Sequence, residues 1–176
     1  MKFLMTAAIL LIGLSATAAP EVFGPRDVDF KVGELGSLPV GIEVHHTPET
    51  VHPTFTGPSG SDWLHATTVT ASEGPVTIIE YGYFVDRDGH WVHAYGLDQA
   101  FTGKEFADRF TCPEAMLQPG ESYTFEWNRS LMDGRAEQRG LWYFIGVDAE
   151  GNRVKGEATV ILRNDSGELC FNFLQH

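Results

Sequence analysis

Apolar and polar positions alternate with a period of two through most of the chain. This spacing is typical of β-strands with one buried face, and turn-forming pairs such as Asp88-Gly89 and Pro119-Gly120 separate the runs. The pattern predicts an all-β fold consisting of one antiparallel β-sandwich. The apolar positions of the five clearest runs are Val28, Phe30 and Val32, then Val40, Ile42 and Val44, then Tyr123, Phe125 and Trp127, then Leu141, Tyr143, Ile145 and Val147, and finally Val154, Ala158, Val160 and Leu162.

One hairpin can be drawn residue by residue, because Asp88-Gly89 is a preferred pair for a two-residue turn. The turn would place Phe84 opposite His93 and Val85 opposite Val92. The two faces of the hairpin then differ in composition, and we expect the first to face the core. That first face carries Tyr81, Tyr83, Val85, Val92 and Ala94, and the second carries Glu80, Phe84, Asp86, Trp91, His93 and Tyr95.

A helix is expected only between Lys104 and Phe110. Phe106 and Phe110 are four residues apart there, which places them on the same side of a helix.

The segment from Leu117 to Trp127 contains a Pro-Gly-Glu-Ser corner, and the strand pattern from Gly140 to Asn152 follows it. The two segments together resemble the closing strands of secreted immunoglobulin-like modules. They also resemble the closing half of the bacterial proteinase-inhibitor sandwich, in which an aromatic segment like Ala100 to Phe110 precedes the corner. The resemblance implies an immunoglobulin-like fold and carries no function.

Residues 1–18 have the anatomy of a cleavable secretory signal: basic Lys2, an apolar run from Phe3 to Leu14, and small residues up to Ala18. We therefore expect a protein that is secreted or periplasmic, with residues 19–176 forming one domain. The apolar run is shorter than the roughly 20 residues of a membrane-spanning helix. No membrane insertion is expected once the signal has been removed.

The formal net charge of −12 disfavours binding to phosphate backbones or to anionic lipid, so nucleic acid is excluded as a partner. A monomer or a weak homodimer is expected. Cys112 and Cys170 are the only cysteines, and in an oxidising compartment an even count predicts one structural disulfide between them.

Histidines cluster between residues 45 and 93, and imidazole is the commonest metal ligand. A copper or zinc site is therefore one interpretation, and surface or turn histidines are the other. His45 and His46 point to opposite faces if both lie in one strand, so a site made by regular strands uses at most one of them. The candidate ligands are His45, His46, His52, His65 and His93.

The aromatic side chains Phe84, Trp91 and Tyr95 share a face of the hairpin and are candidates for stacking on a ligand. If another element covers this face, the same rings belong to the core. We expect any ligand to bind the surface built from residues 45–95 and not the closing strands from 122 to 162.

No catalytic motif is present in the sequence, and we expect no enzymatic activity. The function that we predict is a non-enzymatic binding or interaction module whose partner is a protein or a carbohydrate. The alternative is a periplasmic copper- or zinc-binding protein that uses the histidine cluster.

Overall fold

The computed structural model describes residues 27–55, 61–94, 99–130, 132 and 135–164. The predicted signal of residues 1–18 and Cys170 lie outside these ranges. Within them, no helix is long and apolar enough to cross a membrane.

The described chain consists mainly of β-strands, with one helix before them and one between them. The elements, in chain order, are α1 (Asp27–Ser37), β1 (Ile42–Thr47), β2 (Thr50–Val51), β3 (Thr54–Phe55), β4 (Ser61–Ala71), β5 (Val76–Arg87), β6 (His90–His93), β7 (Phe101–Thr102), α2 (Gly103–Phe110), β8 (Met116–Leu117), β9 (Ser122–Ser130), β10 (Glu137–Asp148) and β11 (Arg153–Arg163).

The strands form two sheets. In the four-stranded sheet, β4 pairs with β1, β3 and β9. The seven-stranded sheet has the order β2-β11-β10-β5-β6, and β7 and β8 also pair with β5. Every pair is antiparallel except β2 with β11, which confirms the predicted antiparallel β-structure.

The hairpin drawn from the sequence is confirmed in register. Phe84 lies opposite His93 and Val85 lies opposite Val92. Asp88 and Gly89 both have positive φ angles, as a turn of this type requires.

The main core lies between the two sheets, which pack face to face. Ile42 and Val69 from the smaller sheet and Phe144 and Val160 from the larger one belong to the same buried cluster. Tyr81 stacks on Phe144, with 5.5 Å between ring centroids. Burial of these side chains is the main source of stability for this arrangement.

The predicted helix near Lys104 is confirmed as α2. Thr102 and Glu105 form a capping box at its start, which satisfies backbone N–H groups that have no partner inside the helix. Phe106 and Phe110 are both buried in the main core, as their spacing predicted.

The strand predicted around Val28 is wrong, because this segment is helix α1. Val28, Val32 and Leu35 also follow helical spacing, so the short apolar run here fits both the two-residue period of a strand and the 3.6-residue period of a helix. The helix packs on the outer side of the larger sheet and buries a second cluster. This second cluster comprises Val28, Leu35, Phe84, Leu141, Tyr143 and Ile145.

A buried lysine links α1 to the larger sheet by an ion pair. Lys31 Nζ lies 3.0 Å from Glu80 Oε1 and 2.8 Å from Glu34 Oε2, and the Tyr143 hydroxyl donates to Glu80 at 2.9 Å. The Tyr143 ring reaches Glu80 across Gly82, where a Cβ atom would stand 2.5 Å from the ring. Burial opposes the lysine charge, but the hydrogen bonds to Glu34 and Glu80 outweigh it and raise the pKa of Lys31.

Candidate functional site

The predicted alternation of His45 and His46 is observed in β1. Ile42, Val44 and His46 face the interior and are buried, whereas His45 is exposed on the outer face of the four-stranded sheet. The two histidines therefore lie in different environments and cannot join one site.

Hydrogen bonds to buried neighbours hold His46 in place. Its Nε2 lies 3.3 Å from the carbonyl of Ala158, which can only accept, so Nε2 carries the proton of the neutral ring. Nδ1 then accepts from the Thr67 hydroxyl at 3.0 Å, and Asn128 Nδ2 donates to the same hydroxyl at 2.5 Å. Both ring nitrogens are thus occupied by protein groups.

His65 lies beside His46, but its surroundings are different. Its side chain is 2% exposed, and neither ring nitrogen forms a hydrogen bond of good geometry within the described residues. Burial, and to a smaller extent the neighbouring His46, lower the pKa of His65 to about 4, and the backbone of Trp63 opposes these effects. His65 is therefore a neutral interior side chain at neutral pH.

The remaining candidate ligands are dispersed. His52 is exposed in the connection between β2 and β3, and His93 packs against Phe84 on the side of the larger sheet that faces away from His65. Within the described ranges, no three histidine, cysteine or acidic side chains lie close enough to hold a metal ion. The fold does not assemble the histidine site expected from the sequence.

The aromatic stripe of the hairpin belongs mainly to the second cluster. Phe84 is buried beneath α1 and has no surface to offer a ligand. Trp91 packs against the same cluster, and the Arg139 guanidinium lies 5.5 Å from its ring centroid. Tyr95 lies outside the described residues.

Cys112 is a buried free thiol in the described structure. Burial is the main cause that raises the pKa of this thiol, to about 11, so the reactive thiolate is strongly disfavoured. The disulfide expected from the sequence is not part of the described structure, since Cys170 falls outside it.

A feature that the sequence pattern did not reveal is a β-bulge in β9. His65 pairs with Asn128 and Thr67 pairs with Phe125, so Glu126 and Trp127 together oppose the single residue Ala66. Such a bulge reverses the parity of the strand. Phe125 and Asn128 both point inward, and the Trp127 side chain is left 71% exposed.

The register places Trp127 at one end of a regular surface, which we call the β1–β4–β9 face. His45, Thr68 and Thr124 form one row across the three strands, and Glu43, Thr70 and Ser122 form the next. We define this face by the residues Glu43, His45, Thr47, Ala66, Thr68, Thr70, Ser122, Thr124 and Trp127.

Pairs of hydroxyl groups order this face. Thr68 and Thr124 are joined by a hydrogen bond of 2.8 Å, and Thr70 and Ser122 by one of 3.0 Å. At the end of β9 beyond Trp127, Arg129 pairs with Asp62. The face therefore presents fixed polar groups beside a single large aromatic ring.

Comparisons with known proteins identify no family. No protein-family model and no curated protein matches the chain. A solved Bordetella pertussis protein assigned as ApaA is 14% identical, with 73% of this chain and 98% of that chain covered and a TM-score of 0.44.

Two further solved structures are more distant. A Northeast Structural Genomics Consortium target is 13% identical, with 80% of this chain and 98% of that chain covered and a TM-score of 0.41. A bacterial immunoglobulin-like domain from the M. primoryensis ice-binding adhesin is 12% identical, with 73% and 98% covered and a TM-score of 0.24. None of these similarities is close enough to assign a function.

Proposed function

We propose that this protein is an exported, non-enzymatic binding module of the immunoglobulin-like type, and that its ligand binds to the β1–β4–β9 face. The observation that carries the proposal is the exposure of Trp127 on an ordered sheet surface. The signal anatomy of residues 1–18 supports the export part of the proposal.

Folding does not account for the position of Trp127. Burying a large apolar side chain stabilises a protein by about 1.5–3 kcal/mol, and the inward-facing positions of β9 on either side of the bulge are occupied by Phe125 and Asn128. Bulges are found where a strand re-aims a side chain for function. Tryptophan is also the residue type most enriched among the energetically dominant contacts of binding sites.

Phe30 is as exposed as Trp127 but is a weaker candidate. Its side chain is 75% exposed on helix α1, only three residues after the described chain begins. Trp127, in contrast, lies within a paired strand of a described sheet.

A metal-binding function has less support. His46 is occupied by hydrogen bonds and His65 is buried, whereas His45 and His52 are exposed and His93 packs on the far side of the larger sheet. Elemental analysis of purified protein after incubation with excess copper or zinc tests this alternative, and stoichiometric retained metal would favour it over the binding module.

The binding proposal can be tested with fractionated cell-envelope material from the source organism. Immobilised wild-type protein should retain either the protein fraction or the polysaccharide fraction, and Trp127→Ala should weaken retention about tenfold or more. Phe30→Ala is the matched control, because it removes an equally exposed aromatic ring from the opposite side of the molecule.

Two results would overturn the proposal. One is unchanged retention by the Trp127→Ala protein, and the other is the absence of retention of either fraction by the wild-type protein. Circular dichroism of both variants establishes that the fold is intact.

A further inference from the structure

We infer that the ligand of the β1–β4–β9 face is a carbohydrate without acidic groups, an inference that rests on the proposed function. The face combines one flat apolar ring with ordered hydroxyl groups, and a sugar ring offers the matching surfaces. One side of a pyranose is a patch of C–H groups, and its rim carries hydroxyls that both donate and accept hydrogen bonds.

The Trp127 ring supplies the apolar contact. Because the side chain is 71% exposed at the bulge, its ring surface is available to solvent. Tryptophan combines a large apolar body with one N–H donor, which suits a ligand that is apolar on its face and polar at its edge.

The hydroxyl pairs supply the polar contacts. In each of the pairs Thr68 with Thr124 and Thr70 with Ser122, one hydroxyl donates to the other. Each pair therefore retains one O–H donor and several lone pairs for a ligand. Since the pairing already restricts the side chains, binding loses less conformational entropy than it would with free rotors.

A protein partner fits this face less well. The centres of protein interfaces are depleted of serine and glutamate and contain several large apolar side chains. Within the described part of this face, Trp127 is the one exposed large apolar side chain, and the other rows of the face carry hydroxyl groups and the carboxylate of Glu43.

Addition of a partner strand to the edge of β9 that has no neighbour among the described strands is also disfavoured. The bulge at Glu126 and Trp127 interrupts the regular ladder, and Arg129 adds a second exposed charge along the same strand. Bulges and charges on an edge strand are devices that prevent pairing with another chain.

Charge narrows the class of sugar. Glu43 lies within the face, Glu126 borders it, and the chain carries a formal net charge of −12. Uronic acids, sulfated sugars and phosphorylated sugars would be repelled by this field. A neutral or amine-bearing glycan would not be repelled.

Isothermal titration calorimetry with defined oligosaccharides tests the inference. The neutral probes are cellohexaose, maltohexaose and N-acetylated chitohexaose, and the anionic probes are oligomers of alginate and hyaluronan. We expect at least one neutral probe to bind and the anionic probes not to bind at low salt.

Four variants locate the site. Trp127→Ala should weaken binding of the neutral probe about tenfold or more, and Trp127→Phe should restore part of the loss. Thr68→Val with Thr124→Val keeps the β-branched shape but removes one hydroxyl pair, and it should also weaken binding. Phe30→Ala should bind as the wild type does.

The outcomes separate the two proposals. Stronger binding of anionic than of neutral probes, or no binding of any probe, overturns the carbohydrate inference. If no probe binds but the envelope protein fraction is retained in a Trp127-dependent manner, the binding module stands without the sugar. If the Trp127→Ala protein behaves as the wild type with every probe and fraction, both proposals fall.

Discussion

The imidazole rings of His46 and His65 meet edge to face between the two sheets, with 5.1 Å between their centroids. Both side chains are buried, and burial lowers the pKa of each. Protonation of either ring would place a charge in the interior, and protonation of both would place two like charges side by side.

Stability should therefore fall on mild acidification. The pKa of His65 is about 4 in the folded protein and about 6.5 in an unfolded chain, so the unfolded state binds more protons between these values. The resulting contribution of His65 to the free energy of unfolding is fully present above pH 6.5 and is lost as the pH falls to about 4. It amounts to roughly 3 kcal/mol, and His46 acts in the same direction.

Urea unfolding measured between pH 4 and pH 7.5 checks this prediction. His65→Gln should flatten the pH dependence relative to the wild type, whatever its effect on stability at pH 7. His45→Gln is the control, since His45 lies exposed on the same strand as His46. Parallel pH profiles for His65→Gln and the wild type would contradict the prediction.

The link between Lys31 and Glu80 should stabilise the docking of α1. The Lys31 side chain is 3% exposed, and Glu80→Gln would leave its charge with one fewer partner and weaken the acceptor of the Tyr143 hydroxyl. Breaking one side of a buried ion pair costs about 3–5 kcal/mol. Because Glu34 still pairs with Lys31, we expect the lower end of that range.

The midpoint of thermal unfolding should be measured for Glu80→Gln and for the control Lys104→Met. The control removes the ion pair between Lys104 and Asp108, whose side chains are 84% and 66% exposed. The exposed pair should contribute far less, because solvent screens both charges. Similar losses of thermal stability in the two variants would show that the buried lysine does not stabilise the docking of α1.

The disulfide between Cys112 and Cys170 stays a prediction of the sequence. Protein purified from an oxidising compartment should show no free thiol when it is denatured without reductant. Two thiols per chain would contradict the prediction. After reduction, Cys112 in the folded protein should react slowly with a thiol reagent at neutral pH, because it is buried and its pKa is raised to about 11.

The sequence pattern predicted local pairing well. The hairpin around Asp88 and Gly89 has the expected register, and His45 and His46 lie on opposite faces of β1. These features depend on neighbours along the chain, where turn geometry and the two-residue period fix which side chains face each other.

The sequence pattern did not predict the centre of the candidate site. Tyr123, Phe125 and Trp127 alternate as one buried face would, but the bulge turns Trp127 outward. The site that we propose on β9 departs from the expectation that a ligand avoids the closing strands, and that expectation stays untested. A bulge depends on how β4 and β9 align, and these strands are far apart in the sequence.

The sequence by itself determined the strand-rich class, the register of the hairpin and the alternation of His45 with His46. Only the tertiary structure decided that Val28, Val32 and Leu35 form a helical face, that Phe84 is buried beneath it, and that Trp127 is exposed. The physical reason is that a short apolar run fits both a period of two and a helical period. The surface that buries it, supplied here by distant strands, determines which conformation is the more stable.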